Sequence, residues 1–129
     1  ERHQIADRVV FAGPQHDVAA WYGAADVFAL PTQYDPCPNA ALEALASGLP
    51  TLTSPTCGVA ELITSPLAGA VVSPQDSQAM AHALATLLEG ALSHANPGAA
   101  QAAARACVAH LSWDAMSQQL QALYAQLAA

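Results

Sequence analysis

The stretch from Ala24 to Ile63, AADVFALPTQYDPCPNAALEALASGLPTLTSPTCGVAELI, constrains the fold of this chain more than any other. An apolar, strand-like segment (Val27 to Leu30) runs into a loop rich in Pro and polar residues. A short helix of about Asn39 to Ser47 follows, Gly48 ends it, and a second apolar segment covers Leu49 to Thr53. Leu42, Leu45 and Leu49 recur at spacings of three and four, the period of a helix that buries one side. Strand, loop, helix N-terminus and strand together form the unit with which open α/β sheets hold phosphorylated ligands beyond the carboxyl ends of their strands.

Two carboxylates lie within this unit, Asp35 in the loop and Glu43 one turn into the helix. A helix starting near Pro38 or Asn39 directs its free amides and the positive end of its dipole toward the loop, a place suited to a diphosphate. Pro38 has no N–H, which removes one donor there. Asn39 and Glu43, four apart, share a helix face, and Glu43 follows Leu42 by about 100°, on the flank of the buried stripe. Spacing alone leaves a plainer alternative open: Asp35 as a turn residue that caps the helix, and Glu43 as a solvated helix glutamate.

On either side of this unit the pattern continues. Arg8 to Gly13, RVVFAG, has the β-branched content of a buried strand closed by Gly and Pro. Asp17 fits the N-cap of a helix through Ala25, with Val18, Trp21 and Tyr22 on its apolar side. TLTS forms the next strand, followed by a turn at Gly58 and a short helix around Val59 to Ile63. Gly69 to Val72 reads as a further strand. Asp76 or Ser77 then caps a helix over Gln78 to Glu89, whose Met80, Leu84, Leu87 and Leu88 make an apolar stripe. SHANPG breaks the chain, with Pro97 suited to the first turn of the next helix. A last helix follows Ser112, with Trp113, Met116, Leu120, Leu123, Tyr124 and Leu127 at helical spacing. Its stripe and Trp113 are expected in the core. Strands alternating with helices predict an α/β fold: a Rossmann-like parallel sheet, helices on both faces, and a C-terminal helical appendage.

Composition narrows the function. The chain has 129 residues, a single domain by length, and carries a net charge of −7 with only three arginines (Arg2, Arg8 and Arg105) and no lysine. Such a surface excludes binding to nucleic acid or to an anionic membrane by charge. No apolar run reaches the roughly 18 residues of a membrane helix. Cys37, Cys57 and Cys107 are odd in number and lack the spacing of a zinc site, so they predict a reducing compartment and no disulfide framework. Cys37 lies between the two acids but has no histidine placed in sequence to activate it, and reads as an inert loop thiol. His3, His16, His82, His94 and His110 have no metal-ligand spacing; His16 falls where it can edge the cleft. The opening ERHQIADR reads as the tail of a helix without an initiating Met, which leads us to expect an excised portion of a larger protein.

The run Pro31-Thr32, Asp35, Glu43, Ala44, Gly48, Pro50, then Gly58 and Glu61, resembles the donor-site signature of GT-B glycosyltransferases, family 4 of the retaining enzymes. YDPCPNAALEALASGLP is most similar to the lipopolysaccharide core glucosyltransferase I subgroup, and RVVFAG and SWDAMSQQLQALY resemble the family's flanking segments. The resemblance implies that residues 1–129 are the latter part of a GT-B C-terminal, nucleotide-sugar-binding domain. It also implies a reaction that moves a sugar from a nucleotide diphosphate donor of the UDP-glucose type, lipopolysaccharide core glucosylation being the specific expectation. The donor is a substrate; no cofactor or metal is expected. The acceptor, a glycan or lipid, belongs to a preceding domain, which also governs any peripheral attachment to the inner membrane of a cytoplasmic enzyme.

By the same resemblance, Asp35 contacts the donor sugar and supports the departing glycosyl centre, and Glu43 takes both ribose hydroxyls. The backbone from Cys37 through Pro38 and Asn39 to Ala40 faces the distal phosphate and sugar, and Glu61 either lines the cleft or caps the turn at Gly58. Two departures touch the sugar contact: Asp35 replaces the usual Glu, and Pro36-Cys37-Pro38 replaces Gly-Phe-Gly. The family's phosphate-binding Arg and Lys lie upstream, and none of the three arginines here is placed to substitute. A GT-B sugar-nucleotide epimerase and a non-catalytic α/β binding module are the competing readings. The acid upstream of Ala-x-x-x-Gly-x-Pro favours the transferase, and the absence of lysine disfavours a receiver-like module.

Overall fold

A computed structural model describes residues 4–127. Three short parallel strands, β1 (Phe28–Leu30), β2 (Thr51–Thr53) and β3 (Gly69–Val71), lie in that order in one sheet. Phe28 pairs with Thr51 and Thr51 with Gly69, so the strands are in register at their starts. Helices cover both sides, giving the expected Rossmann-like parallel sheet. The five α-helices are α1 (Val18–Ala24), α2 (Asn39–Ser47), α3 (Ser77–Ala91), α4 (Ala99–Val108) and α5 (Trp113–Leu127).

The helix boundaries follow local chemistry. Asp17 accepts the Ala20 N–H at 3.2 Å and Asp76 accepts the Ala79 N–H at 2.9 Å. Each is an N-cap contributing about 1 kcal/mol. Gly48 ends α2 with φ of +90°, and the Gly48 and Leu49 N–H groups return to Leu45 O and Ala44 O, both at 2.9 Å. This Schellman closure needs a residue at ease in the left-handed region. Arg105, from α4, lays its guanidinium over Gly48 and donates to Ser47 O at 3.3 Å, placing a cation at the negative end of α2. Pro97 does not enter the first turn of α4; Gly98, which follows it at φ of +80°, is the N-cap.

β2 is the centre of the core, with Thr51, Leu52 and Thr53 all buried, as a strand covered on both faces must be. Its hydroxyls are satisfied locally: Thr51 donates to Leu49 O and Thr53 to Leu30 O, each at 3.1 Å. Ala41 and Leu45 of α2 join Cys57, Val59 and Ala68, and Ala104, Cys107 and Val108 of α4 close the cluster. Of the helical appendage, α4 therefore docks on α2 and α3, whereas α5 buries none of its residues.

Two further expectations are corrected. The segment RVVFAG is not a buried strand: Arg8 ends a 3-10 turn (Ala6–Arg8), and Val10 and Phe11 are 83% and 95% exposed. A strand exists only by pairing, and no backbone among the described residues pairs with this one. The last helix forms where expected, with Ser112 Oγ accepting the Ala115 N–H at 3.1 Å. Trp113, however, is 83% exposed, and Met116, Leu120, Leu123, Tyr124 and Leu127 also face solvent. Helical periodicity shows which face seeks apolar cover; it does not provide that cover.

Candidate functional site

The loops leaving β1 and β2 are sewn together beyond the carboxyl ends of the sheet. Thr32 O accepts from the hydroxyls of Ser54 and Thr56. Asp35 forms a parallel bridge with Cys57: its N–H donates to Thr56 O at 3.3 Å, and its carbonyl accepts the Gly58 N–H at 3.0 Å. The pairing of β1 with β2 thus resumes past the strand ends. Gly58 passes so close to Pro36 that a Cβ built on it would lie 1.8 Å from the Pro36 carbonyl oxygen. Only glycine allows that approach.

Asp35, half-buried, is held in place on both sides. Its Oδ1 accepts the Cys37 N–H at 3.2 Å, an Asx turn that aims the chain into α2. Asp35 is therefore a turn residue but does not cap α2, whose N-cap is Pro38, and its other carboxylate oxygen makes no hydrogen bond among the described residues. Pro38 stands at the N-cap of α2 with extended backbone (φ −69°, ψ 118°) and no side-chain cap, and its carbonyl accepts from Ala41 and Leu42. Of the four positions from Cys37 to Ala40, the Cys37 N–H is engaged with Asp35 and Pro38 has none. The N–H groups of exposed Asn39 and Ala40 have no partner among the described residues. Two open amides at a helix N-terminus favour an anion.

Glu43 is exposed on the side of α2 that meets α1. The Tyr22 hydroxyl lies 3.2 Å from Glu43 Oε2 and 3.2 Å from Ala40 O. Burial, with the Glu43 carboxylate beside it, raises the Tyr22 phenol above its ordinary value. Glu43 lines two hollows flanking α2. One of about 260 Å³ is shared with Val18, Tyr22 and Ser47, and one of about 420 Å³ with Leu42, Leu111 and Trp113. Asp35 lines neither of them. The two acids therefore share neither hollow: Asp35 lies beside Cys57 and Gly58, and Glu43 beside Tyr22. Glu61 is exposed on the 3-10 helix Gly58–Leu62, which starts at the bridge.

Sequence reasoning placed Tyr22 on the apolar side of α1 and missed its contact with Glu43. It also missed the hydroxyl ties from Ser54 and Thr56, whose signal was the polar run at the end of TLTSPT. Cys37 is exposed and Cys57 and Cys107 are buried, all as free thiols. His16, His82, His94 and His110 are exposed, and His3 lies outside the described residues. No group of three or more His, Cys, Asp or Glu among the described residues is arranged to hold a metal ion.

Residues 1–90 match the family model described as glycosyl transferases group 1. The chain belongs to this family. It is 31% identical over 87 residues to the lipopolysaccharide core biosynthesis mannosyltransferase LpsB of Rhizobium meliloti, covering 66% of this chain and 25% of that protein. It is also 31% identical over 115 residues to the glycogen synthase of Mycobacterium tuberculosis, covering 88% and 26%. Among solved structures, the sucrose-phosphate synthase of Thermosynechococcus elongatus superposes with a TM-score of 0.79 at 32% identity, over 98% of this chain and 32% of that one. The chain thus spans about a quarter of the length of these curated relatives. Group 1 membership includes relatives named for different sugars, so the narrower glucosyltransferase I resemblance is not carried by these matches.

Proposed function

We propose that this group 1 glycosyltransferase chain is the latter part of a donor-binding domain in a retaining enzyme. That enzyme moves a hexosyl group from a nucleoside diphosphate sugar of the UDP-glucose type to a hydroxyl of a glycan or lipid-linked acceptor, lipopolysaccharide core being the specific candidate. The observation that carries this reading is the bridge between Asp35 and Cys57. It joins the loop bearing the first acid to the turn at Gly58, from which the 3-10 helix carrying Glu61 starts.

In this reading the free oxygen of Asp35 faces the sugar as positive charge develops at the glycosyl centre, where a fixed carboxylate lowers the barrier. The amides of Asn39 and Ala40 take a phosphate oxygen. Glu43 accepts hydrogen bonds from both ribose hydroxyls, a bidentate role that two carboxylate oxygens fit. Arg105 is committed to the C-terminus of α2, so cations outside this set neutralise the leaving diphosphate. The acceptor is held by a preceding domain. The reaction is cytoplasmic, and any peripheral attachment to the inner membrane is governed by the preceding domain. A mannosyl donor is the second reading, favoured by the relatives named as mannosyltransferases. An epimerase or a non-catalytic module is not favoured, because the family match is to transferases.

The test is calorimetric titration with UDP, together with donor turnover, in the intact enzyme of which this chain is a part. Removing a charged hydrogen-bond acceptor costs about 1.5–3 kcal/mol, so Glu43→Ala should weaken nucleotide binding about 10- to 100-fold. Asp35→Ala should lower turnover with nucleotide affinity largely kept. Parent-like values for both variants would refute the assignment.

A further inference from the structure

Glu43 is an exposed helix glutamate, and packing alone does not fix the rotamer of such a side chain. Among the described residues, its one side-chain hydrogen bond comes from Tyr22. Tyr22 is itself braced: it sits on α1, is half-buried, and its ring meets Phe28 of β1 edge-on, with centroids 6.0 Å apart and planes at 71°. The strand thus holds the ring and the ring holds the hydroxyl over the first turn of α2.

The phenol has one proton and faces two acceptors, Glu43 Oε2 and Ala40 O, each at 3.2 Å. A carboxylate is the stronger acceptor, so the proton goes to Glu43 when its charge is free. Each carboxylate oxygen can accept two hydrogen bonds, so Glu43 Oε2 can keep the Tyr22 hydroxyl and still take one ribose hydroxyl while the other oxygen takes the second.

From this geometry, and resting on the ribose-binding role of Glu43 proposed above, we infer that Tyr22 is a positioning residue that orients the Glu43 carboxylate for the ribose hydroxyls of the donor nucleotide. Its effect is therefore exerted through Glu43, and it sets how strongly the site distinguishes ribose from 2′-deoxyribose.

The experiment uses the intact enzyme with UDP, GDP and ADP and their 2′-deoxy counterparts, taking the base that binds tightest, and compares Tyr22→Phe, Glu43→Gln and the double variant. Tyr22→Phe keeps the ring on Phe28 and deletes only the hydroxyl. The expected result is a loss of nucleotide affinity of about 3- to 10-fold, the worth of one hydrogen bond. The preference for ribose over deoxyribose should shrink in parallel, and no further loss should appear when Glu43 is already Gln. A hydroxyl that merely stabilised α1 against α2 would lower the melting temperature and leave ribose discrimination intact, which overturns the inference. The same loss in both Glu43 backgrounds also overturns it. If Glu43→Gln weakens binding but Tyr22→Phe does not, the positioning role alone falls. If Glu43→Gln itself leaves affinity unchanged, or none of the three nucleotides binds, the ribose-binding reading falls and takes this inference with it.

Discussion

Gly58→Ala offers the sharpest test of how the loops are joined. The new Cβ would be built 1.8 Å from the Pro36 carbonyl oxygen and 2.9 Å from its carbon, while real Cβ contacts essentially never fall below 3.0 Å. The oxygen or the Gly58 backbone must therefore yield by at least 1.2 Å. A movement of that size breaks the Gly58 N–H bond to Asp35 O (3.0 Å) and with it that of Asp35 N–H to Thr56 O (3.3 Å). Loss of these two bonds costs about 1 kcal/mol each, and overpacking adds about 1–3 kcal/mol. The lower chain entropy of Ala returns about 0.4–1 kcal/mol. The balance is a destabilisation of about 2–4.6 kcal/mol, and at roughly 4 °C per kcal/mol for a domain of this size the melting temperature should fall by about 8–18 °C. Circular dichroism melts of parent and variant read it directly. Gly90→Ala is the control: it lies within α3 with nothing inside 4 Å of its added Cβ. Ala is the better helix former, so that variant should be as stable as the parent or up to about 1 kcal/mol more so. A Gly58→Ala melt within 2 °C of the parent, about half a kcal/mol on this scale, would refute the close approach.

Two further outcomes are expected besides those above. Arg105→Ala removes the cation from the C-terminus of α2 and the bond to Ser47 O; because this contact is exposed, urea unfolding should register about 0.5–1 kcal/mol, shrinking in high salt, and a salt-independent loss would count against a charge–dipole origin. The Tyr22 phenol is raised above its ordinary value of 10.0 by burial and by Glu43, so the folded state favours the protonated form. The stability this contributes is complete below the unfolded value and is lost as pH rises through the folded one. The stability gap between parent and Tyr22→Phe should accordingly close above pH 10, and a gap that stays constant from pH 8 upward would contradict the contact.

Local chemistry was legible in the residues themselves. Asp17 and Asp76 announced their helices because an acceptor two or three residues before an amide needs no distant partner. α2 begins at Asn39 and ends at Ser47 as expected, since Leu42 and Leu45 at helical spacing and a glycine stop are self-contained signals, and Leu49 lies just past that stop. The run from Pro31 to Glu61 resembled a signature of the glycosyltransferases, and the family match over residues 1–90 bears out that membership.

Pairing and cover were decided by the tertiary structure. RVVFAG has the composition of a strand, yet Val10 and Phe11 lie in solvent because a strand is defined by the neighbour that bonds to it. Trp113 and the stripe on α5 have the periodicity of a buried helix and nothing among the described residues to bury them. The same holds within the site: no local rule ties Asp35 to Cys57, or Tyr22 to Glu43 across 21 residues. Local propensities are properties of a few adjacent residues and can be read in one dimension. A contact between distant segments exists only once the sheet has set its strands side by side.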